Sequence, residues 1–109
     1  VTKVYVASPL RGNIKANISK AQWYARFVME VGYLPIAPHI YFTQFLRDYI
    51  PEERDKALEM NRELLAWCDQ LWVFGSFISE GMRQEINFAK EAGMTIRYFT
   101  EELEEKHDI

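Results

Sequence analysis

With 109 residues, 49% of them apolar, the chain has the length of one domain, 1–109, and enough apolar side chains to close a core. Its single cysteine, Cys68, excludes an internal disulfide framework and fits a reducing, cytoplasmic setting, and neither a membrane-length apolar run of roughly 18 residues nor a leader-like segment ahead of the first strand is visible. The net charge of −3 gathers in an acidic tail, 100–109, and no part of the chain is basic enough to suggest a nucleic-acid surface.

Lys3 to Ala7 is a short β-branched and aromatic run that predicts a buried strand. Ser8 to Asn13 is a turn-rich loop, and Asn13 suits the N-cap of a helix whose apolar positions are Ile14, Ile18, Ala21, Ala25, Val28 and Met29. Gly32 stops that helix. Leu34 to Ala37 predicts a second strand. The stretch from Pro38 to Ile50 is irregular and aromatic-rich, with a short helix expected from Phe42 to Arg47. Pro51, Glu52 and Glu53 open a long helix, with Leu64, Leu65 and Cys68 on its inner side. Leu71 to Phe74 predicts a third strand, Glu80 or Gly81 starts another helix, Gly93 ends it, and Thr95 to Phe99 is a fourth strand. The tail is expected to form a last short helix.

Strand and helix alternate throughout. This predicts an α/β fold: a single-domain open parallel sheet of about four strands flanked by helices, Rossmann-like or flavodoxin-like. The many aromatic residues suggest that a homo-oligomer, a dimer or higher, shares some of them.

In an open parallel sheet, ligands bind beyond the carboxyl ends of the strands. Three loops meet there: Ser8-Pro9-Leu10-Arg11-Gly12 after the first strand, Pro38-His39 after the second, and Gly75 to Gly81 after the third. The loop around Ser79, Gly81, Met82 and Arg83 runs into a helix start, a natural place for an anion. Glu85, one turn on, would face whatever that loop holds. Asn61 shares a helical side with Leu64, Leu65 and Cys68, and a polar group on a buried stripe needs a partner. Other uses stay open for each residue: Arg11 as a surface arginine, His39 as a turn cap, Ser79 and Gly81 as a cap and a turn, Glu85 as a solvent-facing acid, and Asn61 as a structural amide. Glu80 fits a first-turn acid at the helix dipole. Cys68 has no metal-ligand neighbour in spacing, no metal cluster is visible, and no cofactor is expected.

Taken together, Tyr5 to Gly12, the pattern Ser79-x-Gly81-x-x-x-Glu85-Ile86-x-x-Ala89 and the lead-in Leu65 to Asp69 resemble the nucleoside 2-deoxyribosyltransferase superfamily, which includes 2′-deoxynucleoside 5′-monophosphate N-glycosidases. The resemblance implies a nucleophilic Glu85 oriented by Tyr5. It implies a 5′-phosphate site at Ser8, Arg11, Gly12, Ser79 and Gly81, with His39 near the base or sugar; Arg83, a departure from the family pattern, could add a phosphate contact. The chain departs from that pattern at Asn61, where the family has an aspartate that helps to protonate the leaving base, and at Asn87 and Arg83, where it has glycine. Two functions follow as expectations. One is an enzyme that breaks an N-glycosidic bond or transfers a deoxyribosyl group. The other is a non-catalytic nucleotide-binding protein, bacterial or phage, that sequesters an ADP-ribose-type or cyclic nucleotide signal, in a phage setting one used in host defence. In both, the partner is a small nucleoside or nucleotide.

Overall fold

Strands β1 (Lys3–Ala7), β2 (Leu34–Ile36), β3 (Gln70–Phe74), β4 (Thr95–Phe99) and β5 (Glu105–Lys106) form one sheet in the order β2-β1-β3-β4-β5. The structure, a computed structural model, describes residues 1–107. β1 runs parallel to β2 and β3, and β3 parallel to β4; only β5 is antiparallel to its neighbour. The helices are α1 (Ile14–Glu30), α2 (Pro38–Phe42), α3 (Pro51–Trp67) and α4 (Glu80–Glu91). Among the described residues no helix is long and apolar enough to cross a membrane.

From β1 the chain moves outward to β2, then returns past β1 to β3 and continues to β4. Right-handed crossovers therefore put α1 on one face of the sheet and α3 and α4 on the other. Strand alternation sorts the core accordingly. Val4, Val6, Trp72, Phe74 and Phe99 pack with Tyr24 and Val28 of α1. Tyr5, Ala7, Leu71 and Val73 pack with Leu65 and Cys68 from the α3 side and with Met82, Ile86 and Ala89 of α4. The direction of winding reverses between β1 and β3, so the loops leaving those two strands part and open a crevice.

Local chemistry sets the helix ends. The Asn13 side chain accepts the Ala16 N–H at 3.1 Å, and Gly32, at φ 98°, follows the last turn of α1 in the left-handed conformation that glycine adopts without strain. Pro51 sits at the start of α3 with Glu52 and Glu53. Ser79 Oγ accepts the Met82 N–H at 3.2 Å and starts α4.

The structure corrects three expectations. The short helix is Pro38–Phe42, not Phe42 to Arg47. Pro38 presets the first turn, and Thr43 Oγ1 donates back to the carbonyls of His39 (2.8 Å) and Ile40 (3.2 Å) where the helix stops. The tail turns into β5 instead of a helix: Thr100 Oγ1 accepts the N–H groups of Glu102 and Glu104, Leu103 takes φ 71°, and Arg97 grips Glu105 with two bonds of 2.8 and 2.7 Å. This adds a fifth strand. The end of the acidic tail, with Asp108, lies outside the described residues. On α1 the buried stripe is Ala21, Tyr24 and Val28; Ile14 and Met29 are exposed, because the sheet face below is lined with rings and recruits Tyr24 to stack on Phe74 at 4.5 Å.

Candidate functional site

Tyr5 is the central residue of β1 and points to the α3/α4 side. It is buried, and its hydroxyl donates to Glu85 Oε2 at 2.5 Å. Glu85 lies on the second turn of α4, and Ser79 fixes the start of that helix. Both residues line a cavity of about 400 Å³ beyond the carboxyl end of β1. Its walls come from the β1–α1 loop (Ser8, Pro9, Leu10, Arg11, Gly12), α2 (His39), α3 (Leu58, Asn61) and the start of α4 (Ser79, Gly81, Met82). Arg11, Ser79 and Glu85, distant in sequence, thus share one cavity.

Burial raises the Glu85 pKa from 4.5 to about 7, against the opposing pull of the Tyr5 hydrogen bond. The carboxyl group therefore exchanges its proton near neutrality, as suits an acid, a base or a nucleophile. Tyr5 is pushed well above its ordinary range, first by burial and then by Glu85, and stays a hydrogen-bond donor. Burial lowers His39 to about 4, so its imidazole is neutral at pH 7. One nitrogen of that ring, Nε2, lies 3.0 Å from Ser8 Oγ, a contact that fixes both side chains at the cavity wall.

Asn61 also lines the cavity, and its Oδ1 is buried without a hydrogen-bond partner. An orphaned carbonyl oxygen costs about 1–3 kcal/mol. Met82 divides its role, buried in the core and touching the cavity. Two expected residues lie elsewhere. Gly75 borders a neighbouring cavity of about 270 Å³ with Asn17, Lys20 and Ser76; its N–H donates to the Phe99 carbonyl at 2.9 Å, which ties β3 to β4. Arg83 is exposed on α4 and is not among the residues lining the Glu85 cavity.

Sequence reasoning missed Asp48, Arg54, Leu58 and Phe77, all of which line the cavity. Asp48, in the α2–α3 connection, accepts Arg11 Nε at 2.9 Å and lies 3.7 Å from Arg54 Nε. Arg11 is thus held at the rim rather than free. One sign of this was present: Arg54 sits near the first turn of α3, where the helix dipole disfavours a cation unless an acid compensates. Among the described residues no group of three or more His, Cys, Asp and Glu side chains is placed to hold a metal ion.

Residues 2–99 match the family described as "Domain of unknown function (DUF7768)". The chain belongs to that family. No curated protein matches its sequence. Among solved structures, it is similar to the 2-deoxyribosyltransferase of the psychrotolerant bacterium Bacillus psychrosaccharolyticus, at 20% identity and a TM-score of 0.69, with 91% of this chain and 72% of that one covered. It is also similar to a 2-desoxiribosyltransferase from Leishmania mexicana, at 17% identity and a TM-score of 0.60, with 92% of this chain and 65% of that one covered. The domain of this family present here therefore has the nucleoside 2-deoxyribosyltransferase-like fold, in a chain that spans just under two thirds of the Leishmania protein.

Proposed function

We propose that the protein breaks an N-glycosidic bond of a nucleoside or nucleotide, by hydrolysis or by transfer of the glycosyl group, with Glu85 as the nucleophile. One observation carries this reading: a partly buried carboxylate, gripped by Tyr5 at 2.5 Å, faces a cavity of about 400 Å³ at the point where the sheet reverses its winding. The Tyr5 bond leaves Glu85 Oε1 as the oxygen to attack C1′. The base departs, and water or a second base then takes the sugar from the ester, the two-step logic of retaining glycoside chemistry. Ser8, Arg11, Gly12, Ser79 and Gly81 would surround a phosphate, Pro9, Leu10 and Met82 would line the sugar, and His39 would face the sugar or base. A role for Gly75 or Arg83 in phosphate binding has less support, since neither lines the cavity of Glu85. The fold shared with two deoxyribosyltransferases supports the reaction class.

The test is release of free base, followed by chromatography, from a panel of deoxynucleotides, ribonucleotides and NAD derivatives. Release by the native protein that disappears in Glu85→Gln is the expected result. A second reading, a nucleotide-binding protein without turnover, is favoured by the Arg11–Asp48 pair and by Asn61, an amide with no proton to give. Thermal stabilisation by a nucleotide, with no base released over hours, would select it. A homo-oligomer, supported by the exposed rings of Tyr41, Phe45 and Tyr49, belongs to the same proposal. So does a cytoplasmic setting, which the free, buried Cys68 suits.

A further inference from the structure

The cavity holds a nucleophile but lacks a matching acid. A neutral purine or pyrimidine leaves C1′ as an anion unless a proton reaches its ring, so enzymes that expel such bases need a donor beside them. The groups around this cavity are otherwise committed. Tyr5 donates to Glu85, and Glu85 itself is required as a carboxylate. Asp48 is engaged by Arg11 and Arg54. His39 is neutral and paired with Ser8. Glu80 lines the cavity too, but it is exposed to water on the first turn of α4, where its side chain accepts from Gln84 at 3.5 Å. Asn61, whose buried oxygen has no partner, is an acceptor in search of an N–H or O–H.

From the pairing of Glu85 with Asn61 in a cavity whose other carboxylates, Asp48 and Glu80, are ion-paired or exposed, we infer that the substrate is an N-glycoside whose base is already cationic, a pyridinium carboxamide ribotide. The inference rests on the N-glycosidic reading above. Glu85 Oε1 forms a bond to C1′ as the C1′–N bond breaks. The electron pair of that bond goes to the ring nitrogen and cancels its charge, so the base leaves neutral without a proton. Water then attacks C1′, the ester C–O bond breaks, and the proton lost by water goes to solvent. The carboxamide N–H of the base pairs with Asn61 Oδ1 once the side chain turns that buried oxygen toward the cavity. The positive ring also favours the ionised form of the partly buried Glu85, the form the attack requires.

Nicotinamide mononucleotide and NAD are the cationic probes; the 5′-monophosphates of adenosine, cytidine and their 2′-deoxy forms are the neutral-base probes. The expected result is nicotinamide release with kcat/KM at least about 100-fold above that of any neutral-base probe. For the native protein, kcat with the cationic probes stays flat from pH 7 to 9, because no acid has to remain protonated. Asn61→Asp, close in shape to the native side chain, should raise neutral-base release at least about tenfold and leave nicotinamide release no faster. Neutral-base nucleotides cleaved as fast as the pyridinium probes, in a Glu85-dependent manner, would overturn this inference and leave the N-glycosidic reading standing. A kcat for nicotinamide release that falls above pH 7, or an Asn61→Asp variant with an unchanged substrate ratio, would overturn it as well. No base released from any probe would remove both.

Discussion

The two faces of the sheet are built from the same four parallel strands but packed in opposite ways. On the α1 face, Trp72, Phe74 and Phe99 interlock with Tyr24 and Phe27 through stacked and edge-on rings 4.5 to 6.2 Å apart. Apolar aromatic area dominates there, and Arg97 seals the edge by lying over Trp72 at 4.4 Å. On the α3/α4 face, the sheet presents Tyr5, Ala7, Leu71 and Val73, and the layer does not close at the carboxyl end of β1. A polar tyrosine, a carboxyl group and an unpartnered amide stand where the first face has rings. One face supplies rigidity, and the other leaves room for chemistry. Consecutive residues of β1 serve the two tasks in turn, Val4 and Val6 on one side, Tyr5 and Ala7 on the other.

If that division is right, substitutions on the two faces should fail in different ways. The largest effect on activity belongs to Glu85→Gln: base release should fall by at least about 10³-fold, while the protein becomes more stable. The sign follows from the pKa. The folded state raises Glu85 from 4.5 to about 7, so it binds more protons than the unfolded chain between those values, and stability is lost as pH rises through that window. Removing the carboxylate should therefore add up to about 3 kcal/mol above pH 7 in urea unfolding. On the other face, Trp72→Ala should cost about 3–5 kcal/mol by urea unfolding, with activity per folded molecule little changed. A Trp72→Ala protein that stays fully stable would break the comparison.

Tyr5→Phe should sharpen it. The ring stays buried, so stability should move by less than about 1.5 kcal/mol, yet release should slow by about 10- to 100-fold as Glu85 loses its orienting bond. His39 gives an effect on stability of similar size and opposite sign to that of Glu85. Its pKa is lowered from 6.5 to about 4, so its contribution is present above 6.5 and is lost as pH falls towards 4. In the native protein the two trends offset each other between about pH 4.5 and 6.5. In Glu85→Gln the His39 trend should stand alone, and stability should climb more steeply with pH across that range, as read from unfolding midpoints. The smallest effect is expected at Ser79→Ala, about 1 kcal/mol for a lost helix cap, with a modest change in activity because the start of α4 carries Glu85.

Much of this division was legible in the sequence. The four parallel strands announce themselves by short β-branched and aromatic runs, and the helix starts by Asn13, Pro51 and Ser79, because caps and strand alternation are local properties. The carboxyl-end rule brought Arg11, Ser79 and Glu85 to one edge before any distance was known. What stayed hidden depends on distant partners. β5 exists because Arg97 meets Glu105 across a hairpin, whereas the local run of acids reads as a solvated tail. Asp48 joins the cavity through Arg11, some 37 positions away in sequence, and no local pattern in the aromatic connection marks it. Arg83 was misplaced for a simpler reason: neighbouring positions on a helix point about 100° apart, so its closeness to Gly81 and Glu85 in sequence did not carry it to their side.

The account stands or falls on Glu85 as a nucleophile, and acid-quenched intact-mass and peptide mass spectrometry during turnover tests this most directly. The account predicts a glycosyl adduct on the peptide that contains Glu85, formed and consumed at the rate of base release and missing in Glu85→Gln. Base release that continues undiminished in Glu85→Gln, with no adduct at any time, would contradict it.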